Sequence, residues 1–246
     1  MKRLGIDVGG SGVKGAVVDV GSGELVTERF RLATPQPSVP EAVATAISAV
    51  IAEHGWSGPF GCTLPSVVSH GIVRSAANID PSWVDVDGRA LLEEATGADV
   101  TLLNDADAAG IAEVRFGAGR NQDGVVLMIT FGTGIGSAVL VDGVLLPNTE
   151  LGHLEMWGDS AEKRAAAKAY EDEELTYEAW TDRVNEYLAY VETLLWPDLI
   201  IVGGGISKDS GEFLHLLEAR AEIRPAELRN NAGIVGAAMA SVETHP

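Results

Sequence analysis

"LGIDVGGSGVKGAVVD", residues 4–19, decides the fold. A β-branched apolar run ends at Asp7; Gly9, Gly10, Ser11 and Gly12 follow, then Lys14, and a second apolar run starts at once. The glycines sit between two strands, where missing Cβ atoms let backbone amides approach a phosphate. A Rossmann fingerprint would lead into a helix and place a ribose-binding acid downstream, and this loop does neither. There is no G-x-x-x-x-G-K-[ST] either. Asp7 is the puzzle, because a carboxylate repels phosphate. It makes sense if Mg²⁺ arrives with the phosphates and offsets the charge. Alternatively, Asp7 accepts hydrogen bonds from the loop amides.

Outward from this loop, "ELVTERFRL" reads as a third strand, so the chain opens with a meander. The Pro-rich connector "TPQPSVP" follows. Val43, Ile47, Val50 and Ile51 then recur at helical spacing between Val39 and Glu53. "FGCTLPSVV" and "VTLLND" are two more strands, the second running into a helix, "ADAAGIAEVRFG". From Gly124 the opening scheme returns as "GVVLMITF", the loop "GTGIG", "SAVLV", the turn "DG" and "VLL". A polar helical stretch over Ala161–Tyr170, a helix from Thr176 to Leu195, a last strand over Asp198–Val202 and two closing helices complete the expectation. The repetition predicts a duplicated α/β fold with a central cleft. Residues 1–109 would form one lobe, joined by a C-terminal helix at 231–246, and residues 110–230 the other.

Composition narrows the function. A chain of 246 residues, 46% of them hydrophobic, buries a real core. The longest apolar region, Val125–Leu146, is interrupted by glycines and Asp142, so it lacks the roughly 20 unbroken apolar residues of a membrane span. No signal-peptide stretch precedes the first glycines. Cys62 is the only cysteine, which excludes an internal disulfide and a Cys-rich zinc site and suits the cytoplasm. A formal charge of −19 argues against a nucleic-acid partner.

Three constellations carry candidate chemistry. Gly9–Gly12, Gly132–Gly136 (with Thr133 and Gly134) and Gly203, Gly204 and Gly205 each follow an apolar strand. In "LLNDADAAG", Asn104 and Asp105 stand at a strand's carboxyl end, the edge where α/β sheets place ligands. There an Asn can hold a hydroxyl while the Asp takes its proton; equally, either residue can cap the following helix. In "NTELGHLEM", Glu150 and His153 lie in a polar stretch with Asn148, Thr149 and Glu155. Such groups suit a polyhydroxylated ligand, whose buried hydroxyls each cost about 1–3 kcal/mol if left unpaired. One His with two Glu could also ligate a metal.

"GIDVGGSGVKGAVVD", "LNDADAAGIAEVRFGAG", "TFGTGIGSAVLVDGVLLPNTELGHLE", "WPDLIIVGGGIS" and "NAGIVGAAMASV" together resemble the polyphosphate glucokinases of the ROK family of sugar kinases. The resemblance implies an actin-like (ribonuclease H-like) two-lobed fold and transfer of a phosphoryl group from polyphosphate or ATP to the glucose 6-hydroxyl. By it, Asp105 is the general base and Asn104 its sugar-holding neighbour. Glu150 and His153 are sugar contacts, with Glu162 as a further one and Glu155 as its rival. Asp7, Gly9, Gly10, Ser11, Gly12 and Lys14 form the first phosphate loop, Gly132–Gly136 the second, and Gly203–Gly205 the nucleotide-side loop. Mg²⁺ would accompany the donor near Asp7, and a homodimer is expected.

The chain departs from the family in three ways. Many ROK kinases hold zinc with the motif His and three cysteines, so a chain whose Cys62 stands alone is expected to lack structural zinc. Ser66 stands where the polyphosphate-using branch usually has Gly. The segment "AYEDEELTYEAW" is acidic, whereas a polyphosphate carries about one negative charge per residue and needs local cations. Lys163, Arg164, Lys168, Arg115 and Arg120 are candidates for that patch, or else solvated helix faces. Two rival readings remain. A sugar-sensing repressor would need a DNA-binding domain ahead of a first strand that already begins at Arg3. A polyphosphate hydrolase would need no sugar site.

Overall fold

The computed structural model describes residues 1–244 and divides into two compact units. One comprises Met1–Ala112 and the chain from Asn231 on; the other is Glu113–Asn230. The last two positions of the helix expected at 231–246 lie outside the described residues.

In the first unit, β1 (Lys2–Gly9) and β2 (Gly12–Asp19) form the expected hairpin, with Gly9 opposite Gly12 and Asp7 opposite Lys14. The third expected strand is two short ones, β3 (Glu24–Leu25) and β4 (Phe30–Leu32), both paired to β2. The break falls on the polar Thr27, Glu28 and Arg29, where Thr27 Oγ1 instead accepts from the Val17 amide. Helix α1 (Pro40–Glu53) starts as expected, with Pro40 in its first turn, where the missing N–H costs nothing. Strand β5 (Phe60–Leu64) stops before Pro65, so "FGCTLPSVV" is only half strand; β6 (Val68–Ser69) and β7 (Ile72–Val73) make a separate small hairpin. Helix α2 (Gly88–Thr96) is an addition to the expected elements, although its caps are written in the sequence. Asp87 accepts from the Ala90 amide at 2.9 Å, and Gly97 ends the helix at φ 68°. Strand β8 (Val100–Asn104) joins β5 in parallel and runs into α3 (Asp105–Phe116).

The second unit repeats the plan. Strands β9 (Val125–Phe131), β10 (Ile135–Val141) and β11 (Val144–Leu146) form the antiparallel meander. A hairpin, β12 (Glu155–Met156) and β13 (Asp159–Ser160), precedes α4 (Glu162–Ala165) and α5 (Ala167–Asp172), so the stretch expected as one helix is two. Helix α6 (Tyr177–Leu195) is capped by Thr176, whose hydroxyl accepts from the Ala179 amide at 3.3 Å. Strand β14 (Leu199–Gly203) is not the last. After a short helix α7 (Ser210–Phe213), β15 (Glu222–Pro225) pairs with β14 in parallel, and the chain ends in α8 (Ala232–Thr244). "EIRP" escapes a pattern reading because it is a four-residue edge strand whose exposed Glu222 and half-buried Arg224 pair with each other at 2.7 Å.

Sheet order is β3-β2-β1-β5-β8 in one unit and β11-β10-β9-β14-β15 in the other, an antiparallel meander continued by two parallel strands in each. Separate cores hold them. Trp83 and Phe60 are buried in the first. In the second, Trp180 packs edge-on against Phe131 and Phe213, with ring centroids 5.5 and 5.1 Å apart.

Helix α8 lies in backbone contact with the first sheet. A Cβ on Gly61 would sit 1.7 Å from the Ala237 carbonyl oxygen, and one on Gly5 1.9 Å from that of Ile234. No rotamer relieves a clash with backbone. G61A is therefore expected to lose about 3 kcal/mol of unfolding free energy or more. Gly211, with open space before it, tolerates Ala with little change. Urea denaturation of both variants checks this.

Candidate active site

The first loop answers the question Asp7 raises. Lys14 Nζ lies 3.1 Å from Asp7 Oδ2, and Thr63 Oγ1, on neighbouring β5, donates to Oδ1 at 3.0 Å. The carboxylate is thus met by an ammonium and a hydroxyl, not by the loop amides. It also sits against the first turn of α8, where a Cβ on Gly233 would come within 2.9 Å of Asp7 Cγ. Among the described residues, no three His, Cys, Asp or Glu side chains gather as a protein-held metal would need. A cation bound directly by Asp7 would compete with Lys14 at Oδ2 or with Thr63 at Oδ1, and among the described residues no group of further ligands gathers there to cage Mg²⁺.

Sequence reasoning missed three neighbours of this loop. Exposed Arg31 donates from Nη2 to the Ser11 carbonyl at 2.6 Å, and Thr34 Oγ1 donates to the Gly9 carbonyl. Only the register of β4 on β2, which sets Arg31 opposite Lys14, reveals the first. The third is Asn78, whose carbonyl faces Gly10 from the wall of a cavity of about 280 Å³ also lined by Gln36, Ser38 and Asp80.

At the carboxyl end of β8 the helix-cap reading falls on Asn104. Buried Asn104 is the helix cap: its Oδ1 accepts from the amides of Ala106 (2.8 Å) and Asp107 (3.1 Å). Its Nδ2 donates to the Ser66 carbonyl at 3.1 Å. Ser66, the departure from the branch pattern, is itself buried. Asp105 opens α3, half-buried, with Oδ1 accepting from Ala106 N at 2.9 Å. A helix N-terminus is a favourable place for a carboxylate.

In the second unit, Ser137 of β10 fixes the polar stretch. Its hydroxyl donates to the Thr149 carbonyl and accepts from the Leu151 amide at 3.0 Å, while Thr149 Oγ1 returns a bond to the Ser137 carbonyl at 3.1 Å. Residues Leu151–His153 form one 3₁₀ turn, and Gly152 presses on the Ile135 carbonyl too closely for a Cβ. Consequently His153 lies between two acids, Nδ1 3.6 Å from Glu150 Oε2 and Nε2 3.7 Å from Glu162 Oε1. Glu162, first residue of α4, also accepts from the Ile135 amide at 3.2 Å. Of the two rival acids, this geometry brings Glu162 to His153; Glu155 is exposed on β12. Burial pushes the Glu150 carboxyl above the usual range, His153 pulls it back, and Glu162 adds to the rise.

The second loop is tighter than expected, since Ile135 and Gly136 already belong to β10 and only Gly132, Thr133 and Gly134 lie outside strands. Open space lies before Gly132, and its carbonyl is held by the Lys168 amide at 3.0 Å. Gly204 of the third loop has φ 88° and touches the Phe131 backbone, so no other residue fits there; Gly203 and Gly205 flank it. Two of the five candidates for the cation patch are committed elsewhere. Lys168 pairs with Asp172 at 2.8 Å and Arg164 stacks 5.1 Å above Trp157. Lys163, Arg115 and Arg120 are exposed.

Comparison with known proteins gives the family. Residues 3–166 match the ROK family profile. The chain is 54% identical to a polyphosphate glucokinase of Mycobacterium tuberculosis, over 97% of this chain and 91% of that one. It superposes on an inorganic polyphosphate/ATP-glucomannokinase from Arthrobacter sp. strain KM with a TM-score of 0.95, at 49% identity and 99% coverage of both chains. A ROK family glucokinase from Streptomyces griseus, in complex with glucose and AMPPNP, matches with a TM-score of 0.82 at 25% identity, over 97% of this chain and 98% of that one.

Because the Glu150 value in the fold lies above its unfolded value, its ionised form destabilises the protein at neutral pH. The penalty fades as pH falls through the raised folded value and is gone below the ordinary Glu value of about 4.3. E150Q is expected to raise Tm at pH 7, with the gain disappearing by about pH 4. Thermal melts across that range read it directly.

Proposed function

The chain belongs to the ROK family, and from that premise we propose that it transfers a phosphoryl group from inorganic polyphosphate, ATP or both to the 6-hydroxyl of glucose. Its fold is the actin-like, two-lobed fold of these sugar kinases. The near-full-length likeness to polyphosphate glucokinases carries the reading.

The glucose O6 attacks the donor's terminal phosphorus. A new O–P bond forms, the bridging P–O bond breaks, and the shortened polyphosphate or ADP leaves with the electron pair. Asp105 accepts the O6 proton as the bond forms. Asn104 holds that carboxylate in place by capping α3. We assign the ring hydroxyls to Glu150, His153 and Glu162, whose carboxylates and imidazole both orient the sugar and stabilise it when water is excluded. Gly9, Gly10, Ser11, Gly12, Gly132, Thr133 and Gly134 present amides to the donor phosphates, and Gly203, Gly204 and Gly205 serve the nucleotide side. Asp7 and Lys14 act as a pair that stiffens the first loop. Mg²⁺ belongs to the donor, where it offsets phosphate charge. The reading also assigns the protein to the cytoplasm, as a homodimer without nucleic-acid or membrane partners; among the described residues no helix is long and apolar enough to cross a membrane.

A coupled glucose 6-phosphate assay with polyphosphate, with ATP and with no donor tests the activity and ranks the donors. Phosphate release from polyphosphate without glucose would replace it with hydrolysis. D105N is expected to lower kcat by about 10²- to 10⁴-fold while leaving glucose binding and Tm nearly unchanged. A fully active D105N enzyme would remove the base assignment.

A further inference from the structure

We infer that Arg31 is the cation with which the first loop grips the donor's phosphates, a role that Lys14 cannot fill alone. The inference rests on the kinase reading and deepens its donor side. Three observations carry it.

First, Lys14 is electrically spent. Its ammonium lies 3.1 Å from the Asp7 carboxylate with both side chains largely buried, so the pair presents almost no net charge to an incoming anion. In a chain of formal charge −19, a loop meant for polyanions needs an unspent cation. Arg31, Lys14's cross-strand neighbour, is exposed and forms no ion pair among the described residues.

Second, its side chain is built into the loop. The guanidinium crosses directly over Gly12, where a Cβ would sit 2.5 Å from Nε and 2.9 Å from Cζ. Gly9 and Gly10, by contrast, would place a Cβ only in ordinary contact, at 3.7 and 3.9 Å. Of these three glycines, only Gly12 has the guanidinium packed over it.

Third, Arg31 turns the loop's polarity toward an anion. Its Nη2 holds the Ser11 carbonyl at 2.6 Å, and Thr34 holds the Gly9 carbonyl. Two carbonyl oxygens that would repel phosphate are tied to the β4 side. One guanidinium N–H is used in this bond, and the rest of the fork remains for phosphate oxygens. Binding a non-transferred phosphate there suits polyphosphate and ATP alike, since both carry a phosphate beyond the one transferred.

The test compares wild type, R31A and R31K by calorimetric titration with inorganic tripolyphosphate, by donor and glucose KM, and by Tm. R31A should weaken the tripolyphosphate Kd and raise donor KM by about ten-fold, the scale of a charge-assisted hydrogen bond at a solvated site, with glucose KM within about two-fold. R31K keeps the charge without the fork and recovers part of the loss. The R31A loss should shrink as salt rises. Equal tripolyphosphate binding by wild type and R31A, or no binding by wild type, overturns the inference. So does a parallel rise in both KM values with a fall in Tm, which marks a purely structural residue. An active wild type with an unaffected R31A donor KM refutes Arg31's role alone and leaves the kinase reading standing.

Discussion

The fold of the first unit depends on one constraint: α8 must lie on β1, β5 and α3 with no side chains between. Gly5 and Gly61 on the sheet, and Gly236 on the helix facing the Ala108 carbonyl, remove the Cβ atoms that would hold these backbones apart. The rest of "AGIVGAAMAS" is small or apolar, and Ile234, Val235, Ala237 and Ala238 are buried. Close backbone packing of this kind gains dense van der Waals contact. It also explains why a segment more than a hundred residues away in sequence closes the unit that the N-terminus opens. The same helix start delivers Gly233 to the Asp7 carboxylate, so the packing constraint sets the wall of the first loop as well.

Both units use one device beside their first glycine loop: the end of the preceding strand is immobilised by its neighbours. In the first, Thr63, Lys14, Thr34 and Arg31 take up the groups behind and beside Gly9–Gly12. In the second, Trp180 wedges Phe131 at the end of β9, with its indole N–H on the Ala165 carbonyl at 3.0 Å, and Gly204 closes on the Phe131 backbone. Rigid support is what a phosphate cradle requires, because amides that must reorganise around a charge stabilise it less.

What is legible in the sequence follows the range of the interaction. The two hairpins, α1, α6 and β14 rest on local periodicity and turn chemistry, and all appear within a residue or two of their expected limits. The split of β3 from β4 and the edge strand β15 depend on what a partner strand offers, which a linear pattern does not carry. Helix α2 has legible caps in Asp87 and Gly97, but Gly88 and Arg89 blur the apolar face that would announce it. The motif residues Asn104, Asp105, Glu150 and His153 stand out by type, whereas Glu162 comes only through the family resemblance, with Glu155 as its rival. Arg31 does not stand out, since an arginine in "FRL" looks like any solvated strand residue until the register places it beside Lys14 and over Gly12.

In the proposed mechanism, Asn104 and Asp105 let one helix start serve both stability and chemistry. A catalytic carboxylate must be held still, yet a carboxylate that caps its own helix spends its acceptors on amides. Here the preceding residue does the capping instead. Asn104 Oδ1 receives two amides of α3, and Nδ2 ties the cap to the Ser66 carbonyl. Asp105 is then fixed through its backbone as the first helical residue, and its Oδ1 accepts from the Ala106 amide. Exchanging the two residue types would cap the helix equally well. It would also bury the carboxylate and leave an amide, which accepts no proton, at the half-buried position. The order Asn-Asp therefore has a physical reason that helix stability alone does not supply.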